Sequence, residues 1–149
     1  MSRVNKHGKY ISKLLTKASS AQSKGFYLES IFLSHSIIED RLRRTMKKIR
    51  KDYGESRKIP DAVKDFQYRI KNKEFLFNEF FTDDLMKKII IWKKSKRDKL
   101  THELEKNVDI INDIHLIESI ATEGYELSRE LCNAVMKWKN KVKKEGLLK

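Results

Sequence analysis

Apolar residues recur along this chain at steps of three and four, and strand-like alternation is sustained nowhere. Residues 4 to 18 carry Val4, Ile11, Leu14, Leu15 and Ala18 at helical spacing. Residues 22 to 51 carry Leu28, Ile31, His35, Ile38, Leu42 and Ile49 on one face, while the opposite side is basic and ends in the run from Arg41 to Lys51. Asp52-Tyr53-Gly54-Glu55-Ser56 reads as a loop, and Pro60 with Asp61 opens a short helix facing inward through Val63, Phe66 and Ile70. Phe75, Leu76, Phe77, Phe80 and Phe81 are too dense for a solvated loop, so residues 72 to 81 are expected to form an irregular or short helical plug on the core. Thr82, Asp83 and Asp84 signal the next helix start; it runs through Leu85, Ile89 and Trp92 and fades near Lys99 to His102. A last stripe is the longest: Ile110, Ile114, Ile117, Ala121, Gly124, Ser128, Leu131, Val135, Trp138 and Val142, widened by Ile120, Leu127 and Ala134. It predicts an amphipathic helix from about residue 107 to about residue 144. The pattern as a whole predicts an all-α fold: one domain over residues 1–149, an antiparallel helical bundle of about five helices with a long C-terminal helix.

Composition narrows the class. Of 149 residues, 39% are apolar, enough for one core but not two. Five glycines and one proline exclude collagen-like and Pro-rich chains. No run of eighteen apolar residues exists, so no membrane span is expected. The opening MSRVNKHGKY lacks the apolar stretch of a signal peptide, and the single cysteine, Cys132, fits a reducing cytoplasm. Thirty-four Lys and Arg against 21 Asp and Glu give a net charge of +13, which makes a nucleic acid the leading partner class. The basic run Arg41 to Lys51 is either a solvated face or a phosphate contact. Aromatic interleaving for base stacking is thin, with Tyr53 and Trp92 the nearby candidates and Trp92 expected in the core.

Most catalytic signatures are missing. His7, His35, His102 and His115 fall in no metal-binding spacing, so neither a metal nor another cofactor is expected. There is no Gly-rich phosphate loop and no serine elbow. Cys132 reads as an inert thiol, His35 as a core histidine and His115 as a solvated one. One sharp feature remains, Arg97-Asp98-Lys99-Leu100-Thr101-His102, in a basic setting that includes Lys93, Lys94, Lys96 and Lys99. Arginine offers a permanent positive fork to a phosphate, and histidine exchanges protons near neutral pH. The two types suffice for attack of a ribose 2′-hydroxyl on its own phosphate, leaving a 2′,3′-cyclic phosphate and a 5′-hydroxyl without any metal.

An all-helical chain with Arg, a polar residue and then His after a spacer of four to six, just before the last long helix, resembles the HEPN domain family. Arg97 and His102 match the ends of that motif and Asp98 matches the polar follower. Ser36-Ile37-Ile38-Glu39-Asp40-Arg41-Leu42 is similar to an acidic turn often found in the family's second helix. The resemblance covers most of the chain in element order but few residues in identity. It implies a homodimer whose two motifs share a cleft, and a metal-independent endoribonuclease in toxin–antitoxin or phage defence, with an antitoxin protein as a candidate partner. Leu104 stands where one antitoxin-paired subgroup has a tyrosine, which speaks against neutralisation through that residue.

Two readings stay open. In the first, Arg97, Asp98 and His102 are catalytic, Glu39 or Asp40 orients Arg97 or His102, and Lys94, Lys96, Lys99, Arg43, Arg44 and Lys47 contact RNA phosphates. In the second, the chain is a non-catalytic helical module that binds RNA or a partner protein. Asp98 is then a salt-bridge partner of Lys94, its i−4 neighbour.

Overall fold

The computed structural model describes residues 3–54 and 57–148 and, in the first helix, side chains from His7 onward. Val4 in the first apolar stripe and Glu55 and Ser56 in the expected loop therefore lie outside the described side chains. No strand occurs among the described residues, and the long helices pack side by side as an all-α bundle.

Helix α1, Arg3–Ser23, extends beyond residue 18 and buries Ile11, Ala18 and Ala21. Gly25 then adopts φ 82°, a left-handed turn open to glycine, and reverses the chain into α2, Tyr27–Ile49. This helix starts five residues later than the periodicity suggests, because the turn occupies the difference. Ile31, Ile38 and Leu42 are buried as expected, while Leu28 faces out. Helix α3, Ile59–Lys71, has Pro60 in its first turn and inserts Val63 and Phe66.

The stretch from Glu74 to Phe81 is the expected plug. A single 3₁₀ turn, Glu74–Leu76, passes directly into the short α4, Phe77–Phe80. Lys73, Phe75 and Leu76 all take left-handed φ, 54°, 50° and 62°, at a cost of about 1–2 kcal/mol each. Packing offsets it. Phe66, Phe77 and Phe81 have mutual ring distances of 4.9–5.0 Å, and Trp138 stands edge-on to Phe77 at 5.3 Å. Trp138 Nε1 also donates to the Phe75 carbonyl at 2.7 Å, fixing the irregular backbone.

Thr82 caps α5, Asp83–Ile91, its hydroxyl accepting from the Leu85 amide at 3.0 Å. A π-helical segment, Trp92–Arg97, leads without a break into α6, Asp98–Lys106. A 3₁₀ turn, Val108–Asn112, precedes α7, Ile114–Lys144, whose first turn is capped by Asp113. The long helix thus begins at Ile114 rather than near residue 107, since Asn107 caps the start of the 3₁₀ turn and Asp113 caps the start of α7. From Ile117 to Val142 its stripe is buried, and α2 lies along it. No described helix is long and apolar enough to cross a membrane.

Candidate functional site

The helix capped by Thr82 does not fade at Lys99. Arg97 and His102 lie inside one continuous rod, not in a turn before the last helix. The π segment has a local cause in Trp92 and Leu100, which are both buried. Eight α-helical steps would set them about 80° apart round the axis. The wider π turn brings both to the core side. Trp92 Nε1 donates to the Ile120 carbonyl at 2.9 Å. Its ring lies against Gly124, where a Cβ would stand 2.3 Å from Cζ2.

The same widening sets the ion pairs. Lys93, five residues back, reaches Asp98, and Lys94 does not. Arg97 Nη1 donates to the other Asp98 oxygen at 2.9 Å. Burial works to raise the Asp98 pKa, but the hydrogen bonds from Lys93 and Arg97 outweigh it and hold the carboxyl below its ordinary value. Asp98 is therefore a fixed anion that restrains Arg97 and has no proton to trade near neutral pH.

His35 belongs to this cluster. The half-buried imidazole sits 6.4 Å from the Trp92 ring, with its Nε2 buried and without a hydrogen-bond partner. Burial first, and then the Arg97 guanidinium, push its pKa down to about 4. Lys93, Asp98 and Glu39 also lie within electrostatic reach. Glu39 pairs with Arg43 at 3.9 Å along the same face of α2. Asp40 points elsewhere. It accepts from His7 at 3.0 Å, Arg41 at 2.9 Å and Arg44 at 3.1 Å, facing α1 rather than Arg97 or His102.

His102 is exposed and forms no hydrogen bond or ion pair among the described residues. It follows Arg97 by five α-helical steps, about 140° round the axis, so the two side chains leave the helix in divergent directions. Of the expected phosphate contacts, Lys94 and Lys99 are exposed beside this cluster, and Lys96 is paired with Glu123 of α7. Arg44 and Lys47 line a separate groove between α1, α2 and α7. Tyr53 is buried at 4% exposure, so it offers no ring to a base. Trp92 is in the core as expected.

Other chemistry is sparse. Burial pushes the Cys132 thiol up to about 11, leaving almost no thiolate at neutral pH. Among the described residues no three His, Cys, Asp or Glu side chains converge as a metal site requires. His35 and Lys93 are the cluster members that spacing does not reveal. His35 shares the inward stripe of α2, and only the neighbouring rod turns that position toward Arg97.

Fold and surface together define an all-helical bundle with an Arg–Asp pair on a π segment and a strongly basic exterior. No family model, curated protein or solved structure matches the chain.

Proposed function

We propose that this chain is a metal-independent endoribonuclease of the HEPN type that acts as a homodimer. The observation that carries the reading is the Arg97 guanidinium, held by Asp98 on a π segment beside exposed Lys94, Lys99 and His102. π-Bulges are frequent at functional sites. In the proposed reaction Arg97 holds the scissile phosphate and balances its growing charge. His102 moves a proton between the ribose 2′-hydroxyl and the leaving 5′-oxygen. The 2′-oxygen bonds to phosphorus as the 5′-oxygen departs, giving a cyclic phosphate and a 5′-hydroxyl.

The divergence of Arg97 and His102 supports the dimer. A 140° offset does not favour aiming both at a single phosphate from one chain, and in the proposed dimer the Arg97 of one copy would meet the His102 of the other across a two-fold axis. An apolar surface suited to such contact runs along α2. Leu28 and Phe32 precede His35 at i, i+4 and i+7, with Phe32 63% exposed. Phe26, Leu28, Ile111 and Ile114, all exposed, line one groove at that end of α2, and contiguous apolar surface is what interaction sites use. A setting in toxin–antitoxin or phage defence rests on the family resemblance alone.

The experiment is cleavage of an end-labelled single-stranded RNA with analysis of the product ends. Cyclic-phosphate products from wild type, unaffected by EDTA and absent for His102→Ala, are expected. The divergence within one chain also favours a second reading, a non-catalytic RNA-binding module. RNA bound but never cut by wild type would establish that reading instead.

A further inference from the structure

A second basic site lies on another face of α2, away from Arg97. Arg41, Arg44, Lys47 and Lys48 of α2 and Lys139 of α7 line a groove of about 250 Å³ with His7, Gly8, Thr45 and Val135. Asp40, which adjoins the groove through His7, Arg41 and Arg44, is already bonded to all three. Lys48 and Lys139, one from each helix, both line the groove and form no ion pair among the described residues. Neighbouring cations without a counter-charge are unfavourable unless an anion joins them. Burial first, then Lys48, with Arg41 and Lys143 adding, bring Lys139 down to about 8. Burial chiefly lowers Lys48 as well.

We propose that this groove is a binding site for a terminal phosphate, a phosphate monoester carried by a nucleotide or by the end of an RNA chain. Two features favour that ligand over a run of backbone phosphodiesters. The volume falls below the roughly 300–1,000 Å³ of pockets for drug-sized ligands and suits a small ionic group. A monoester brings nearly two negative charges and three acceptor oxygens to the groove, whereas each diester brings one charge. Arg41, only 14% exposed and held by Asp40, supplies a rigid fork at the wall. The inference goes beyond the cleavage reading and does not depend on it, because the groove contains neither Arg97 nor His102.

The test is binding, measured by fluorescence anisotropy, of two RNA oligonucleotides of identical sequence that carry either a 5′-phosphate or a 5′-hydroxyl. His102→Ala protein avoids cleavage during the measurement. The phosphorylated strand is expected to bind at least about tenfold more tightly. The double variant Lys48→Gln, Lys139→Gln is expected to abolish that preference while circular dichroism reports an unchanged fold. Competition separates the sources. A nucleoside 5′-monophosphate that displaces the strand at similar concentration points to a free nucleotide, and one that displaces it poorly points to an RNA end. Equal binding of the two strands, or an undiminished preference in the double variant, overturns the proposal. The result is independent of whether wild type cuts RNA.

Discussion

The basic region around Arg97 and the basic groove beside α2 differ in how their charge is balanced. Around Arg97 every cation close to the core has an anion: Lys93 and Arg97 share Asp98, Lys96 holds Glu123, and Arg43 faces Glu39. In the α1–α2–α7 groove Asp40 serves two arginines and a histidine, while Lys48 and Lys139 form no ion pair among the described residues. Balanced charge fixes geometry, because each side chain has one low-energy position. Unbalanced charge stores affinity, because an arriving anion relieves repulsion already present. The first arrangement suits a group that must be aimed, and the second suits a place where something negative comes to rest.

The comparison breaks most decisively through the Arg97 cluster. His102→Ala or Arg97→Ala should lower RNA cleavage by about 10² to 10⁴, read as initial rates on labelled RNA. Mixing the two inactive variants sharpens the point. If each centre takes Arg97 from one copy and His102 from the other, half of randomly formed dimers are mixed, and each holds one intact centre. About a quarter of wild-type activity should then return. No recovery on mixing would place both groups of a centre in one chain. His115→Ala, on an exposed position of α7, should leave cleavage unchanged. His35→Asn should keep most activity; if it loses cleavage while His102→Ala retains it, proton transfer belongs to His35.

Next in size is the seat of Trp92. Gly124→Ala puts a methyl where Trp92 Cζ2 lies 2.3 Å away, and the ring is boxed in by its bond to Ile120. Overpacking of this kind costs about 1–3 kcal/mol. It should lower Tm by several degrees and disturb the π segment that carries Lys93 and Arg97. Gly8→Ala, inside α1 with open space around its Cβ position, should instead raise Tm modestly in the same melt, since alanine is favoured over glycine in a helix by about 0.5–1 kcal/mol.

These two residues also show what was legible beforehand. The bundle was readable because each long helix carries its own stripe, and Thr82 announces its helix by a local bond that needs no distant partner. The π segment was hidden. Leu85, Ile89 and Trp92 keep ordinary helical steps, and nothing nearby in the chain says that Gly124 will receive the indole from across the core. For the same reason Asp98 could be paired on paper with Lys94, and His35 could be assigned to the core without Arg97 beside it. The meeting of Lys48 with Lys139, ninety-one positions apart, is equally non-local. Spacing reveals faces of helices; which faces meet is decided by packing.

Acidity separates the two regions further. His35 is held near 4 against an ordinary 6.5, so the unfolded chain binds more protons between those values. Its contribution to stability is complete above about pH 6.5 and is lost as pH falls toward 4. Lys139 is held near 8 against an ordinary 10.5, and again the unfolded chain binds more protons in the interval. Stability therefore rises as pH increases from about 8 to 10.5. Thermal melts across pH should show both slopes. His35→Asn should flatten the acidic one and Lys139→Gln the alkaline one; a slope that survives its own substitution would assign it to another group.

The smallest expected effect bears on the groove alone. Lys48→Gln with Lys139→Gln removes two like charges and no ion pair among the described residues. Near neutral pH and at low salt the double variant should be more stable than wild type by a few tenths to about 1 kcal/mol, the scale of partly exposed charge interactions. The gain should shrink as ionic strength approaches about 1 M, where screening acts within roughly 3 Å. Inorganic phosphate should reverse the order, because an anion that binds the folded wild type raises its stability by mass action and finds less purchase in the variant. A pair of melts in phosphate-free and phosphate buffer of equal ionic strength reads both effects. If the variant is destabilised in phosphate-free buffer, the lysines contribute to packing more than they repel. The contrast between a balanced cluster and an unbalanced groove then fails at the groove.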